Sequence, residues 1–211
     1  ACFLVLLKAQ KKIAARGTVG KAVTTALANL GMKYSERIKV RHPLDVLLND
    51  VGLEKLKEAA VKPLQGLKVA CYYGCQIVRP YAPFDDQHNP QSMDRLLQAL
   101  GAQTVTWSMK ARCCGGTLTG TVEEAGQRLS YFLVKEARRK GADVVATACP
   151  LCQFNLECYQ GKMNARYHDN INMPVFYFTQ LMGQALGISP KKLWMDRMLI
   201  EAPRACAAAA V

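Results

Sequence analysis

Val144-Val145-Ala146-Thr147-Ala148-Cys149-Pro150-Leu151-Cys152 sets the pattern from which the architecture of the chain follows. Residues 144–148 make a short apolar run of the length a buried strand needs. Cys149 follows at once. Pro150 suits the first position of a helix, because the N–H it lacks is one that a helix start leaves unpaired anyway, and that helix carries Cys152 and Leu156. The unit is strand, cysteine, helix.

The same unit recurs outward from it. Residues 67–72 are an apolar run that meets Gly74 and Cys75, as a strand entering a tight turn does. Ser92 caps a helix containing Met93, Leu96, Leu97 and Leu100, and Gly101 stops it. Residues 104–107 read as a second strand leading to Cys113 and Cys114, which Gly115 and Gly116 follow. In the helix over about 122–140, Val122, Ala125, Leu129, Phe132, Leu133 and Ala137 recur at helical spacing and predict one buried stripe. Residues 175–178 give a fourth strand and 179–186 a last helix, closed by Gly187. Such alternation predicts an α/β fold, a mostly parallel sheet with flanking helices. Sites in these sheets lie beyond the carboxyl ends of the strands, where Cys75, Cys113, Cys114, Cys149 and Cys152 all fall.

Residues 1–62 are helical in pattern and carry no motif. A helix over about 3–15 is broken by Gly17 and Gly20, a second over 24–30 ends at Gly31, and two short amphipathic segments follow at 44–48 and 51–60. His42 stands beside a helix start, so a surface or capping role is the plain expectation; a ligand or proton-donor role stays open, since reducing a disulfide consumes protons. Residues 63–195 read as a cysteine-rich domain and residues 196–211 as a tail, poorly ordered through its Ala-rich end. The chain starts at Ala1 without methionine and is read as part of a longer protein. Residues 1–7 are too short for a secretory apolar region, and no apolar run approaches the roughly 20 residues of a spanning helix. The expectation is a cytoplasmic protein with no membrane span.

Nine cysteines cannot all pair within one chain. Clustered cysteines without an export signal point to metal or redox chemistry rather than a disulfide framework. The net charge of +12 is concentrated in residues 1–68, which hold 13 Lys and Arg against 5 acids. A basic front suits nucleic acid or an acidic partner, but Lys8, Lys11, Lys12 and Arg16 are spaced as a solvated helix face with no aromatic residues among them. No nucleic-acid partner is expected.

Cys149 and Cys152 alone would serve zinc, a redox dithiol or a cluster equally well. Their place at a helix start favours thiolate, because the unpaired amides there stabilise negative charge. The adjacent pair discriminates more. Neighbouring residues of an extended chain point opposite ways, so Cys113 and Cys114 reach one compact centre only from a turn, which Gly115 and Gly116 permit, or else reach two metals of a larger one. A structural zinc closes with four ligands. Five convergent thiols exceed that and suit an iron-sulfur centre.

The order of one cysteine, 37 residues, an adjacent pair with glycine, 34 residues and a two-residue-spaced pair resembles the cysteine-rich CCG domain of the heterodisulfide reductase B subunit and its bacterial relatives. The neighbouring words match too: Val69-Ala70-Cys71-Tyr72-Tyr73-Gly74-Cys75, then Asn89, Pro90, Ser92, Met93 and Asp94, then Pro174, Val175, Tyr177, Phe178, Thr179, Gln180 and Leu181. The likeness runs over about 40–195. It implies a noncubane 4Fe-4S cluster on the five cysteines, and a second cluster in an upstream domain of the full-length protein. Cys2 is then the last cysteine of that upstream set, and residues 1–62 its tail plus a linker. The gap of 34 residues is slightly short for the family and suggests a small loop deletion that leaves the site intact. Cys71, on the strand itself, reads as core or as packing near the site; Cys158 and Cys206 read as free thiols.

By the same resemblance the activity is reduction of a small thiol–thiol disulfide, in methanogens the mixed disulfide of coenzyme M and coenzyme B, held between two clusters. Electrons come from a C-like iron-sulfur subunit fed by an A-like flavin subunit. A competing reading makes the chain an electron-relay subunit, as in the succinate dehydrogenases with CCG domains or in lactate and glycolate oxidation complexes. A third is a zinc-stabilised binding module with a basic surface.

Overall fold

The computed structural model describes residues 2–35, 37–201 and 203; the Ala-rich end and Cys206, read above as poorly ordered and as a free thiol, lie outside the described residues. Among these, four strands form one sheet, β1 (Lys68–Tyr72), β2 (Gln103–Thr104), β3 (Val144–Thr147) and β4 (Val175–Tyr177), in the order β2-β1-β3-β4. Every pairing is parallel, with Val69 opposite Thr104 on one side and Val144 on the other. The expected α/β fold is therefore present.

The helices are α1 (Cys2–Ala14), α2 (Thr18–Asn29), α3 (Pro43–Val46), α4 (Leu53–Glu58), α5 (Ser92–Ala99), α6 (Glu123–Arg139), α7 (Pro150–Cys158), α8 (Gln160–Tyr167) and α9 (Phe178–Ala185). Alternation along the strands sorts the core into two layers. Val69, Cys71, Ala146 and Phe176 pack with Met93, Leu97, Leu181 and Ala185 of α5 and α9, while Ala70, Tyr72, Val145 and Val175 pack with Leu133, Val134, Leu156 and Met163 of α6, α7 and α8. Both sheet faces are covered, as a parallel sheet requires.

This order has a topological consequence. From β1 the chain steps to β2 through α5 on one face, then crosses to β3 on the far side of β1 through α6 on the other. Strand order thus reverses between β1 and β3, and a crevice opens at their carboxyl ends.

Several local expectations are corrected. The second strand is only Gln103–Thr104: Val105 donates to the Val69 carbonyl at 2.9 Å, and the chain then leaves the sheet as the buried Trp107 indole donates to the Cys71 carbonyl at 3.1 Å. Gly20 does not break a helix but lies inside α2, where a side chain would press on the Lys12 carbonyl of α1. Ser92 is the first residue of α5 and not its cap. Asp85 accepts from the Ser92 amide at 2.8 Å and the Tyr73 hydroxyl from the Met93 amide at 2.7 Å, so distant side chains satisfy that helix start. Helix α8 carried no sequence expectation.

The apolar stripe expected on α6 is only partly buried. Leu133 and Ala137 are buried, but Val122, Leu129 and Phe132 are 55, 38 and 45% exposed. The inward face of its first half is Gly126, Gln127 and Ser130. It packs against the backbone of the Cys113–Cys114 loop, where a side chain on Gly115 would come within 2.8 Å of the Gly126 Cα, so only small or hydrogen-bonding residues fit. Among the described residues no helix is long and apolar enough to cross a membrane.

Glycine to alanine inside a helix usually stabilises by up to about 1 kcal/mol. At Gly126 a Cβ would lie 2.7 Å from the Thr119 nitrogen, whereas at Gly161 in α8 it meets nothing within 4 Å. Gly126→Ala is therefore expected to destabilise by about 1–3 kcal/mol and Gly161→Ala to be neutral or stabilising, as read by chemical denaturation; the same sign for both would contradict this packing.

Candidate metal centre

The crevice between β1 and β3 is a cavity of about 300 Å³ lined by Cys75, Cys113, Cys114, Cys149 and Cys152, with Phe3, His42, Ile77, Leu151 and Tyr177 among the other walls. Cys75 arrives on the turn after β1. Cys149 ends the turn after β3, and Pro150 opens α7, which carries Cys152 into the cavity as expected of that helix start. Cys113 and Cys114 come on the loop between β2 and α6, turned by Gly115 at a φ of +77°. None of the five is in a disulfide.

The sulfurs are in contact. Cys114 Sγ lies 3.4 Å from Cys152 Sγ, and the Gly115 amide donates to Cys113 Sγ at 3.3 Å. Cys152 also bonds Cys149, and Cys75 bonds Cys113. These contacts divide the protons unevenly. The Cys152 thiol and the amides at the start of α7 hold Cys149 down to about 5, and the same thiol brings Cys114 down to about 7. Cys152, which keeps its proton between those two sulfurs, is pushed up. Burial raises Cys75 to about 11. Among the described residues no three His, Cys, Asp or Glu side chains close as they would round a single ion; the thiols line a cavity.

His42 is the buried N-cap of α3, its Nδ1 accepting from the Leu44 amide at 3.1 Å. Its ring also bonds the Ala148 carbonyl, and burial lowers it to about 4. The capping expectation holds and the surface one does not; an uncharged imidazole with both nitrogens engaged is poorly suited to giving up a proton. Tyr177 donates to the same Ala148 carbonyl at 2.8 Å, so the residue before Cys149 is fixed from two sides. Cys71 is wholly buried on the opposite face of β1 and bonds Asp94, a core position. Cys158, at the end of α7, is half-buried and does not line the cavity, whereas the exposed Cys2 does.

Thr119, Ser130 and Asn155, which carried no expectation from the sequence, hold the loop together with Tyr72, bonding its backbone or one another. The only signal for them was polarity at core-facing positions, Ser130 among the apolar residues of α6 and Asn155 one turn beyond Cys152.

A thiol whose folded pKa lies below its ordinary value stabilises the fold fully above that ordinary value and loses the contribution as pH falls through the folded one. For Cys149 that window runs from about 9.0 down to about 5. In metal-free protein, iodoacetamide labelling followed by mass spectrometry is expected to show Cys149 reacting with a midpoint near 5, while Cys75 responds only towards 11. A Cys149 midpoint at the ordinary thiol value of about 9.0 would contradict this arrangement.

Residues 69–157 match the cysteine-rich domain family CCG. The 8-methylmenaquinol:fumarate reductase membrane anchor subunit of Wolinella succinogenes is 34% identical over 96% of this chain and 71% of its own length. The B subunit of a ferredoxin/F(420)H(2)-dependent CoB-CoM heterodisulfide reductase from Methanosarcina acetivorans is 34% identical over 86% of this chain and 62% of its own. The B subunit of the ferredoxin:CoB-CoM heterodisulfide reductase from Methanosarcina mazei is 30% identical over 95% and 68%. A hypothetical protein from Helicobacter pylori shares the fold, with a TM-score of 0.70 at 16% identity over 96% of this chain and 37% of that one. The chain thus spans about two thirds of these curated relatives, and by its cysteine-rich domain and their similarity it belongs to the CCG-domain family that includes the heterodisulfide reductase B subunit.

Proposed function

We propose that this chain is part of an iron-sulfur oxidoreductase subunit whose Cys75, Cys113, Cys114, Cys149 and Cys152 hold a noncubane 4Fe-4S cluster and which reduces a small thiol–thiol disulfide. The observation that carries it is the meeting of five thiols, from three separate segments of the chain, on one cavity at the switch point of the sheet. The donor set fits: thiolates are the ligands such clusters take, and a structural zinc would use four and close. When bound, such a cluster supplies electrons one at a time and an iron able to take sulfur.

The protein's own part is preparation. Cys149, held as a thiolate at neutral pH, and Cys114, brought down to about 7 and so partly ionised there, are prepared to ligate, and the proton on Cys152 must leave as metal enters. Phe3, Ile77 and Leu151 give the cavity apolar walls that limit water. His42 and Tyr177 keep the Ala148 carbonyl, and with it Cys149, in place. In this reading residues 63–195 are one of two such domains, Cys2 at the cavity belongs to the ligand set of the other, and the disulfide lies between them. C-like iron-sulfur and A-like flavin subunits then deliver the electrons.

The similarity to a fumarate reductase subunit favours a second reading, in which the same centre relays electrons within a dehydrogenase or reductase complex. Oxidation of the reduced full-length protein by small disulfides separates the two: a response supports reduction of a disulfide, and none supports the relay.

Anaerobic reconstitution with iron and sulfide is expected to give a brown protein with about four irons per chain. Cys113→Ser and Cys114→Ser are each expected to lower iron content and bleach the visible absorption. A colourless protein holding one zinc would overturn both readings.

A further inference from the structure

The Cys113–Cys114 loop belongs to no regular element, yet its backbone is fixed on both sides of Cys113. The wholly buried Tyr72, at the end of β1, donates its hydroxyl to the Arg112 carbonyl at 2.7 Å. The Cys114 carbonyl accepts twice, from Ser130 Oγ of α6 at 2.8 Å and from Asn155 Nδ2 of α7 at 3.0 Å. Asn155 Nδ2 also donates to Ser130 Oγ at 3.1 Å, and Thr119 Oγ1, further along the loop, donates to Asn155 Oδ1 at 2.6 Å. Ser130 is 0% exposed and Asn155 1%. A buried amide and hydroxyl cost stability unless every polar atom is paired, and here their partners are the loop and each other.

Asn155 has a particular place in this set. It follows Cys152 by one turn of α7, so a single rigid element carries both a cavity sulfur and the donor that fixes the Cys114 backbone. The 3.4 Å separation of Cys114 Sγ and Cys152 Sγ is thereby set through one helix rather than across a free loop. We propose that Asn155, with Ser130 and Thr119, is a positioning device that seats Cys114 against Cys152 before any metal is present. The purpose given to that seating rests on the reading of the five thiols as a ligand set; the clamp itself does not.

The test compares wild type with Asn155→Leu, Ser130→Ala, Thr119→Val and Thr119→Ser. In metal-free protein, amide hydrogen exchange over residues 113–119 is expected to be about tenfold faster in the first three, the factor a lost buried hydrogen bond gives, with exchange in β1 and β3 unchanged. Thr119→Ser, which keeps the hydroxyl, stays at the wild-type rate. Iron bound after reconstitution falls in the same three variants and holds in Thr119→Ser. Unchanged loop exchange in Ser130→Ala and Asn155→Leu would overturn the proposal, as would equal loosening by Thr119→Ser and Thr119→Val. Should Asn155→Leu fail to fold, Ser130→Ala and the Thr119 pair decide. If wild type takes up no iron while the exchange pattern holds, the ligand reading fails and the clamp stands.

Discussion

Five thiols have to face one small cavity while the backbone that carries them still satisfies its own hydrogen bonds. No regular element does this alone, since a strand points adjacent residues to opposite faces and a helix aligns only every third or fourth. The parallel sheet supplies the solution at the place where its strand order reverses. There β1 and β3 end side by side, and their continuations turn to opposite faces, leaving a crevice into which two cysteine-bearing turns open. The third segment is brought in by packing: Gly115 lies on Gly126 of α6, and side chains of β1, α6 and α7 hold the carbonyls around Cys113.

That crowding has an electrostatic consequence. Thiolates repel one another, so the metal-free site settles into a pattern in which Cys152 keeps a proton that it shares with Cys114 and Cys149, while burial keeps Cys75 protonated. Neutral His42 and the Tyr177 hydroxyl add no charge to this wall and act on the Ala148 carbonyl instead. The site is thus organised by backbone anchoring and by hydrogen bonds between sulfurs. A cation would displace the remaining protons, which makes its affinity depend on pH.

Most of the frame was legible in the amino acids. The runs ending at Tyr72 and Ala148, the Pro150 helix start and the Gly101 and Gly187 stops all report local chemistry, and local chemistry decided those elements. The convergence of the Cys75 and Cys149 segments followed from the rule that parallel strands share a carboxyl edge, whereas Cys113 and Cys114 lie well beyond the end of β2 and are placed by packing. What stayed hidden depends on contacts between distant segments. Strand order is not encoded in periodicity, and β2 is cut short by where Trp107 finds its acceptor. On α6, Val122, Leu129 and Phe132 have the spacing of a core stripe, but the surface the helix meets is loop backbone, which selects glycine and serine. The polar clamp was invisible for the same reason, since Asn155 and Ser130 acquire their role only from a carbonyl far away in the chain.

Whether the five sulfurs share one centre can be read by iron-edge anomalous diffraction from crystals of the anaerobically reconstituted protein. One compact group of iron peaks is expected inside the crevice between β1 and β3, with all five cysteine sulfurs at bonding distance from it. Iron bound elsewhere, or a lone metal held by Cys149 and Cys152 with Cys75, Cys113 and Cys114 left out, would contradict a shared centre.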